Sequence, residues 1–216
     1  MGLYFIKGRI DFKTFFSFCK QHSISANHSV YLFPGNKSHH GPKHDLYSYK
    51  SGAGLAVLAG NLSQSGYPVL SIPTTNMENW STDKNIQAIV TGAIEDLWRA
   101  VGAGFHLVLP VRPHKNTRYF ESPLCNTSTD NGTTSYEPSF WGGVQSAANL
   151  LLAQHYLDHL QRLNAFMEVE GNKEQEDLFM AQLAQEHPNL NQAYVAGKTM
   201  QPDAAWLEKK QQPSLQ

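Results

Sequence analysis

A chain of 216 residues with 41% hydrophobic residues and a formal charge of −1 can build one ordinary core. It is too nearly neutral for a global nucleic-acid footprint or a polybasic membrane patch. No run reaches the roughly 18 apolar residues of a membrane span, the opening Met1 to Lys7 is too short for a secretory leader, and Cys19 and Cys125 make no disulfide scaffold. A cytosolic protein is expected, in which sequons such as Asn61-Leu62-Ser63 carry no meaning.

In chain order, Leu3 to Ile6 reads as a strand, and Phe12, Phe15, Phe16 and Cys19 fall on one face of a short helix. Val30 to Phe33 is a second strand, ending in Pro34-Gly35-Asn36. Residues 37–49, with His39, His40 and His44, read as an inserted loop. The run Lys50-Ser51-Gly52-Ala53-Gly54-Leu55-Ala56 then turns into an apolar helix. A strand over Val69 to Ile72, followed by Pro73-Thr74-Thr75, comes next. Ile86, Ile89, Val90, Ala93, Ile94, Leu97, Trp98 and Val101 form a clean helical stripe, and Phe105 to Val111 is the fourth strand. Residues 113–139 show no period and read as a long functional or mobile loop. After Trp141-Gly142-Gly143, a second long helix carries Val144, Ala147, Ala148, Leu151, Leu152, Tyr156, Leu160 and Leu163. Beyond residue 164 the chain turns polar, with Leu178, Phe179 and Leu183 supporting one more helix. Strands alternating with helices predict an α/β sheet covered on both faces. The expected division is an α/β domain over 1–163 and a polar helical extension with a frayed tail over 164–216.

The Gly52-Ala53-Gly54 turn is the most informative stretch. Glycine lets a ligand approach the backbone, and the first amides of a helix have no internal partners and lie at its positive end. A phosphate seat is therefore expected there. Trp141-Gly142-Gly143 repeats the device, with a plain helix cap an equal alternative. No Cys joins His39, His40 and His44, and Pro42 forbids a helical His-x-x-x-His face, so a solvated loop is favoured over a metal site. There is no Gly-x-Ser-x-Gly elbow, and Cys19 on an apolar face reads as packing.

The order of these pieces resembles a known family. Lys7-Gly8-Arg9-Ile10-Asp11, the strand ending near Asn36, the Ser51-Gly52-Ala53-Gly54-Leu55 loop, the Ser71-Ile72-Pro73-Thr74 strand, and Leu107-Val108-Leu109-Pro110 ahead of a Gly-opened helix run in sequence like a divergent macrodomain, the ADP-ribose-binding module. The resemblance spans roughly residues 3–163 and implies a three-layer α/β/α sandwich with a mixed central sheet. It implies that Gly52, Ala53, Gly54 and Leu55 wrap the diphosphate and distal ribose, with Trp141, Gly142 and Gly143 as the opposing loop. Thr74 and Thr75 join the ligand-binding set, and Asn36 matches the asparagine at the distal ribose. The family's paired asparagines are reduced to one, its triple glycine is broken by Ala53, and its Gly-Asp reads Gly8-Arg9, with Asp11 two places on.

The resemblance to bacterial effector ADP-ribosylhydrolases implies removal of ADP-ribose from modified side chains, arginine favoured over acidic, by a monomer with no cofactor and no metal. Delivery into a host cell would suit the polar tail. The oxocarbenium-like transition state asks for a carboxylate. Glu121 is the first choice, because it lies in the long loop after the Leu109-Pro110 strand, where ligands gather in open α/β sheets; Asp45, Glu78 and Glu137 are the other acids. The alternative is a non-catalytic module that binds ADP-ribose or a nucleotide metabolite.

Overall fold

In the computed structural model, which describes residues 1–7, 11–36, 54–75, 77, 79–113, 120–121, 125–128, 135–138 and 147–200, Val30 to Phe33 are each at most 1% exposed. An apolar run with both faces buried is the mark of a parallel strand covered by helices on each side. This strand, β2 (Ser29–Asn36), lies between β3 (Val69–Thr75) and β4 (His106–Pro113), and β4 pairs in turn with β1 (Leu3–Lys7). All of these pairings are parallel, in the order β3-β2-β4-β1.

Side chains alternate across this sheet as a period of two demands. Tyr31, Phe33, Val69 and Val108, with Ile6, pack on one face against α1 (Phe12–Gln21) and α2 (Gly54–Gln64), through Phe15, Cys19, Ala59 and Leu62. Val30, Leu32, Leu70, Ile72, Leu107 and Leu109 pack on the other. There they meet α3 (Lys84–Gly102), α4 (Ala147–Val169), α5 (Lys173–Glu186) and α6 (Pro188–Lys198). The parallel sheet thus lies between two helical layers, as the alternating pattern led one to expect.

Local chemistry sets the helix ends. The Asp11 carboxylate accepts from the Thr14 amide at 2.8 Å, and Asp83 accepts from the Asn85 amide at 2.8 Å, each capping amides that have no helical partner. After α3, Gly104 adopts φ +85, a left-handed turn that returns the chain directly into β4. The expected stripe on α3 is buried at Ile86, Val90, Ala93, Ile94, Leu97, Trp98 and Val101, with Ile89 half-buried.

Two regions are organised differently from the sequence reading. Residues 113–139, expected to lack regular structure, contain β5 (Phe120–Glu121), β6 (Cys125–Ser128) and β7 (Ser135–Pro138). These pair antiparallel in succession from the end of β4, so the sheet as a whole is mixed. The boundary drawn at 163/164 falls inside α4. Beyond it Phe166, Leu183, Leu190, Ala193 and Tyr194 are buried in the same cluster as α3, and two further helices form where one was expected. The last residues, 201–216, lie outside the described part.

The α6 helix approaches α3 at backbone distance. A Cβ on Gly197 would collide with the Arg99 carbonyl, and one on Gly102 with the Tyr194 carbonyl. On an open helix Gly→Ala stabilises by about 1 kcal/mol. Gly197→Ala is expected instead to destabilise by about 1–3 kcal/mol, because α3 and α6 must separate; a raised midpoint in urea would contradict this contact. At Ile94, only 2% exposed, truncation to Ala is expected to cost about 2–5 kcal/mol in the same measurement.

Candidate functional site

Parallel strands end together, and their carboxyl ends form one edge of the sheet. At that edge β2 finishes with Asn36 and β3 with Thr75, which pair across the register: Gly35 opposes Pro73, and Asn36 opposes Thr75. The register shifts between Gly35 and Asn36, so Thr74 falls in the irregularity. From here the two strands part company. The connection from β2 leads into α2, on the α1 face, while β3 leads into α3 on the opposite face. Neighbouring strands whose connections diverge leave a crevice at their carboxyl ends, the usual ligand position in open α/β sheets.

Several of the residues singled out in the sequence reach this edge. Gly54 is the first residue of α2, and Leu55 follows it in the first turn. Glu121 lies in β5, opposite Arg112 near the carboxyl end of β4 and opposite Asn126 of β6. The backbone thus brings Asn36, Thr74, Thr75 and Glu121 to the carboxyl ends of three adjacent parallel strands. Asp45, Gly52, Ala53, Trp141, Gly142 and Gly143 lie outside the described residues, as do Glu78, His39, His40 and His44.

Contacts not anticipated from the sequence fasten α4 to this edge. The Tyr156 hydroxyl donates to the Pro73 carbonyl at 2.9 Å in the buried interior. Burial pushes the Tyr156 phenol well above its ordinary range, so it stays a neutral donor. One residue away, the His155 ring stacks on Trp80 at 5.2 Å with 27° between planes. Met77, between β3 and Trp80, is fully buried. Tyr156 was legible as an apolar-stripe residue; its hydroxyl bond to Pro73 was not, because nothing local encodes a contact 83 positions away.

A histidine cluster does form, at a place other than the 37–49 loop. His155 and His159, one turn apart on α4, meet edge to face at 4.9 Å, and His159 meets His187 at 5.9 Å. The His155-x-x-x-His159 spacing was the available signal. Among the described residues no three His, Cys, Asp or Glu side chains are arranged to hold a metal ion. Cys19 is buried and its thiol is raised to about 11, chiefly by desolvation, as suits packing rather than nucleophilic attack.

Set beside known family models, curated proteins and solved structures, the chain matches none. No helix among the described residues is long and apolar enough to cross a membrane.

The Tyr156–Pro73 bond yields a direct expectation. Tyr156→Phe preserves the ring and strands a buried carbonyl, so stability should fall by about 1–3 kcal/mol. Urea unfolding with an unchanged slope is the measurement, and a loss under about half a kcal/mol would mean that the carbonyl is satisfied without the hydroxyl.

Proposed function

We propose that this chain binds ADP-ribose at the carboxyl edge of its parallel sheet and hydrolyses it from modified protein side chains, arginine before acidic residues. The observation that carries the reading is the convergence of Asn36, Thr75 and the start of α2 where the connections of β2 and β3 diverge. In this reading the first amides of α2 meet the diphosphate, favoured by their lack of helical partners and by the helix dipole. Asn36 and Thr75 border the distal ribose. Water adds to the anomeric carbon of that ribose, the bond to the guanidine nitrogen breaks, and the proton released by water ends on the leaving nitrogen. Glu121, on the strand that extends the sheet from β4, supplies the carboxylate that activates the water or offsets the positive charge of the oxocarbenium-like state. The chain acts as a monomer, in the cytosol or in a host cell into which it is delivered. The order of motifs shared with macrodomains supports the ligand class; the carboxyl-edge placement supports the position.

Two variants separate binding from chemistry. Gly54→Glu places a carboxylate at the phosphate seat and should abolish ADP-ribose binding in calorimetry while the fold, read by circular dichroism, persists; unchanged affinity would remove α2 from the site. Glu121→Gln retains volume and hydrogen bonding without charge. It should slow release of label from ADP-ribosylated arginine by about 10²-fold or more, with affinity for ADP-ribose held within a few-fold. Binding by the unaltered protein with no turnover on any substrate would reduce it to a binding module.

A further inference from the structure

The helix α5 buries much less of itself than its neighbours, although Glu176 ties its first turn to α6, accepting from Lys198 at 3.0 Å and from the Tyr194 hydroxyl at 3.2 Å. Leu183 is its only buried residue; Phe179, half-buried, reaches the rings of Phe166 at 5.4 Å and Trp98 at 6.5 Å, and Leu178 stands 66% exposed. By contrast α6 buries Leu190, Ala193, Tyr194 and Gly197 and meets α3 at backbone distance. Between α4 and α5 runs a cleft of about 190 Å³, floored by Ala165, Phe179 and Leu183 and rimmed by Arg162, Gln182 and Glu186. Weakly buried elements of this kind are the first to open.

What closes the end of this seam is the histidine cluster. His187 is both the last cap of α5 and the first of α6, and its ring faces His159 on α4. His159 is 9% exposed, and its Nδ1 has no hydrogen-bond partner among the described residues. Its charged surroundings are of one kind: His155 one turn before it, His187 across the seam, and Arg162 one turn after it. Asp158 lies near His155, and Glu186 pairs with Arg162 at 3.0 Å at the exposed rim, beside His187. A neutral ring suits this position; an imidazolium there would be a buried cation with an unmet donor beside other cations.

We propose that α5 is an acid-released flap: protonation of the His155–His159–His187 cluster parts α5 and its turn into α6 from α4, while the rest of α6 stays clamped on α3. Burial, then the neighbouring His155, His187 and Arg162, hold the closed His159 imidazole down at about 3, against an ordinary 6.5 once it reaches water. The open form therefore binds more protons between those values. The closed state is at full strength above about 6.5 and weakens as pH falls through that window. One such histidine favours opening by about 30-fold between pH 7.5 and 5.0. Opening uncovers the floor of the cleft and the faces of Phe166 and Leu183.

Amide hydrogen exchange of the whole chain at pH 7.5 and 5.0, corrected for the intrinsic pH dependence of exchange, tests this. Amides of residues 173–187 should lose at least tenfold protection at pH 5.0, while those of β2, β4 and residues 193–198 keep theirs. In His159→Leu the acid loss should disappear. His187→Asn, at a half-exposed position where the backbone and not the side chain caps α5 and α6, should move the loss to lower pH and serves also if His159→Leu fails to fold. Unchanged protection of α5 in the unaltered protein overturns the proposal. So does loss shared equally by β2 and β4, or an acid profile that neither variant alters.

Discussion

A parallel sheet has no face that can be left to water, and the whole arrangement follows from covering both sides of β2 and β4. Val30, Leu32, Leu107 and Leu109 look one way; Tyr31, Phe33 and Val108 look the other. The α1 and α2 helices suffice for the second face. The first is broader and carries larger side chains, including Trp98, Tyr156, Phe166 and Tyr194. It is closed only when α4, α5 and α6 join α3. The helices α5 and α6 and the end of α4 are therefore structural members of the core, and the glycine contact of α6 on α3 is what lets that layer close tightly.

Covering both faces also decides where a ligand can sit. The interior of the sheet has no room, which leaves a ligand the ends of the strands. At the carboxyl edge the connections of β2 and β3 leave for opposite helical layers, and the register slip before Asn36 loosens the last pair. The end of β3 would be the least supported part of this edge. Tyr156 and the stacked pair of Trp80 and His155 hold it from the α4 side. The binding proposed for this edge would need such fixed backing, since a positioning error of an ångström can remove most of the benefit of orientation.

How much could be read from sequence depended on how local each determinant was. The stripe on α3 was legible because seven buried positions recur at helical spacing within one helix, and the four parallel strands because their apolar runs are short and bounded by Gly, Pro or polar turns. The strands β5 to β7 were not, since Cys125 to Ser128 and Ser135 to Pro138 are polar and short; their order comes from pairing partners, which periodicity does not record. The two last helices were half-hidden for the same reason: α5 buries a single residue in a Gln- and Glu-rich segment. At the candidate site, the sequence allowed Asn36 and Thr75 to be set at the ends of two strands, which pair there. The backing contacts from Trp80, His155 and Tyr156 stayed invisible, joining positions some 80 residues apart.

The α4 helix links these observations. Tyr156 fixes it to the end of β3, His155 fixes it to Trp80, and within one further turn His159 meets the junction of α5 and α6. A helix of 23 residues behaves as a rod, so a displacement at His159 is carried to Tyr156 with little attenuation. The contacts to the carboxyl edge and to the α4–α5 seam are consequently made within about one turn of the same helix. A ligand that favoured one position of that rod at the edge would shift the proton affinity of the seam, and protonation of the seam would change its affinity by the same factor. The size of that factor is set by how far α4 moves when α5 departs. With Tyr156 buried and bonded to Pro73, the least costly opening leaves α4 in place and moves α5 with its turn into α6. The geometry therefore favours a flap that opens without disturbing the edge.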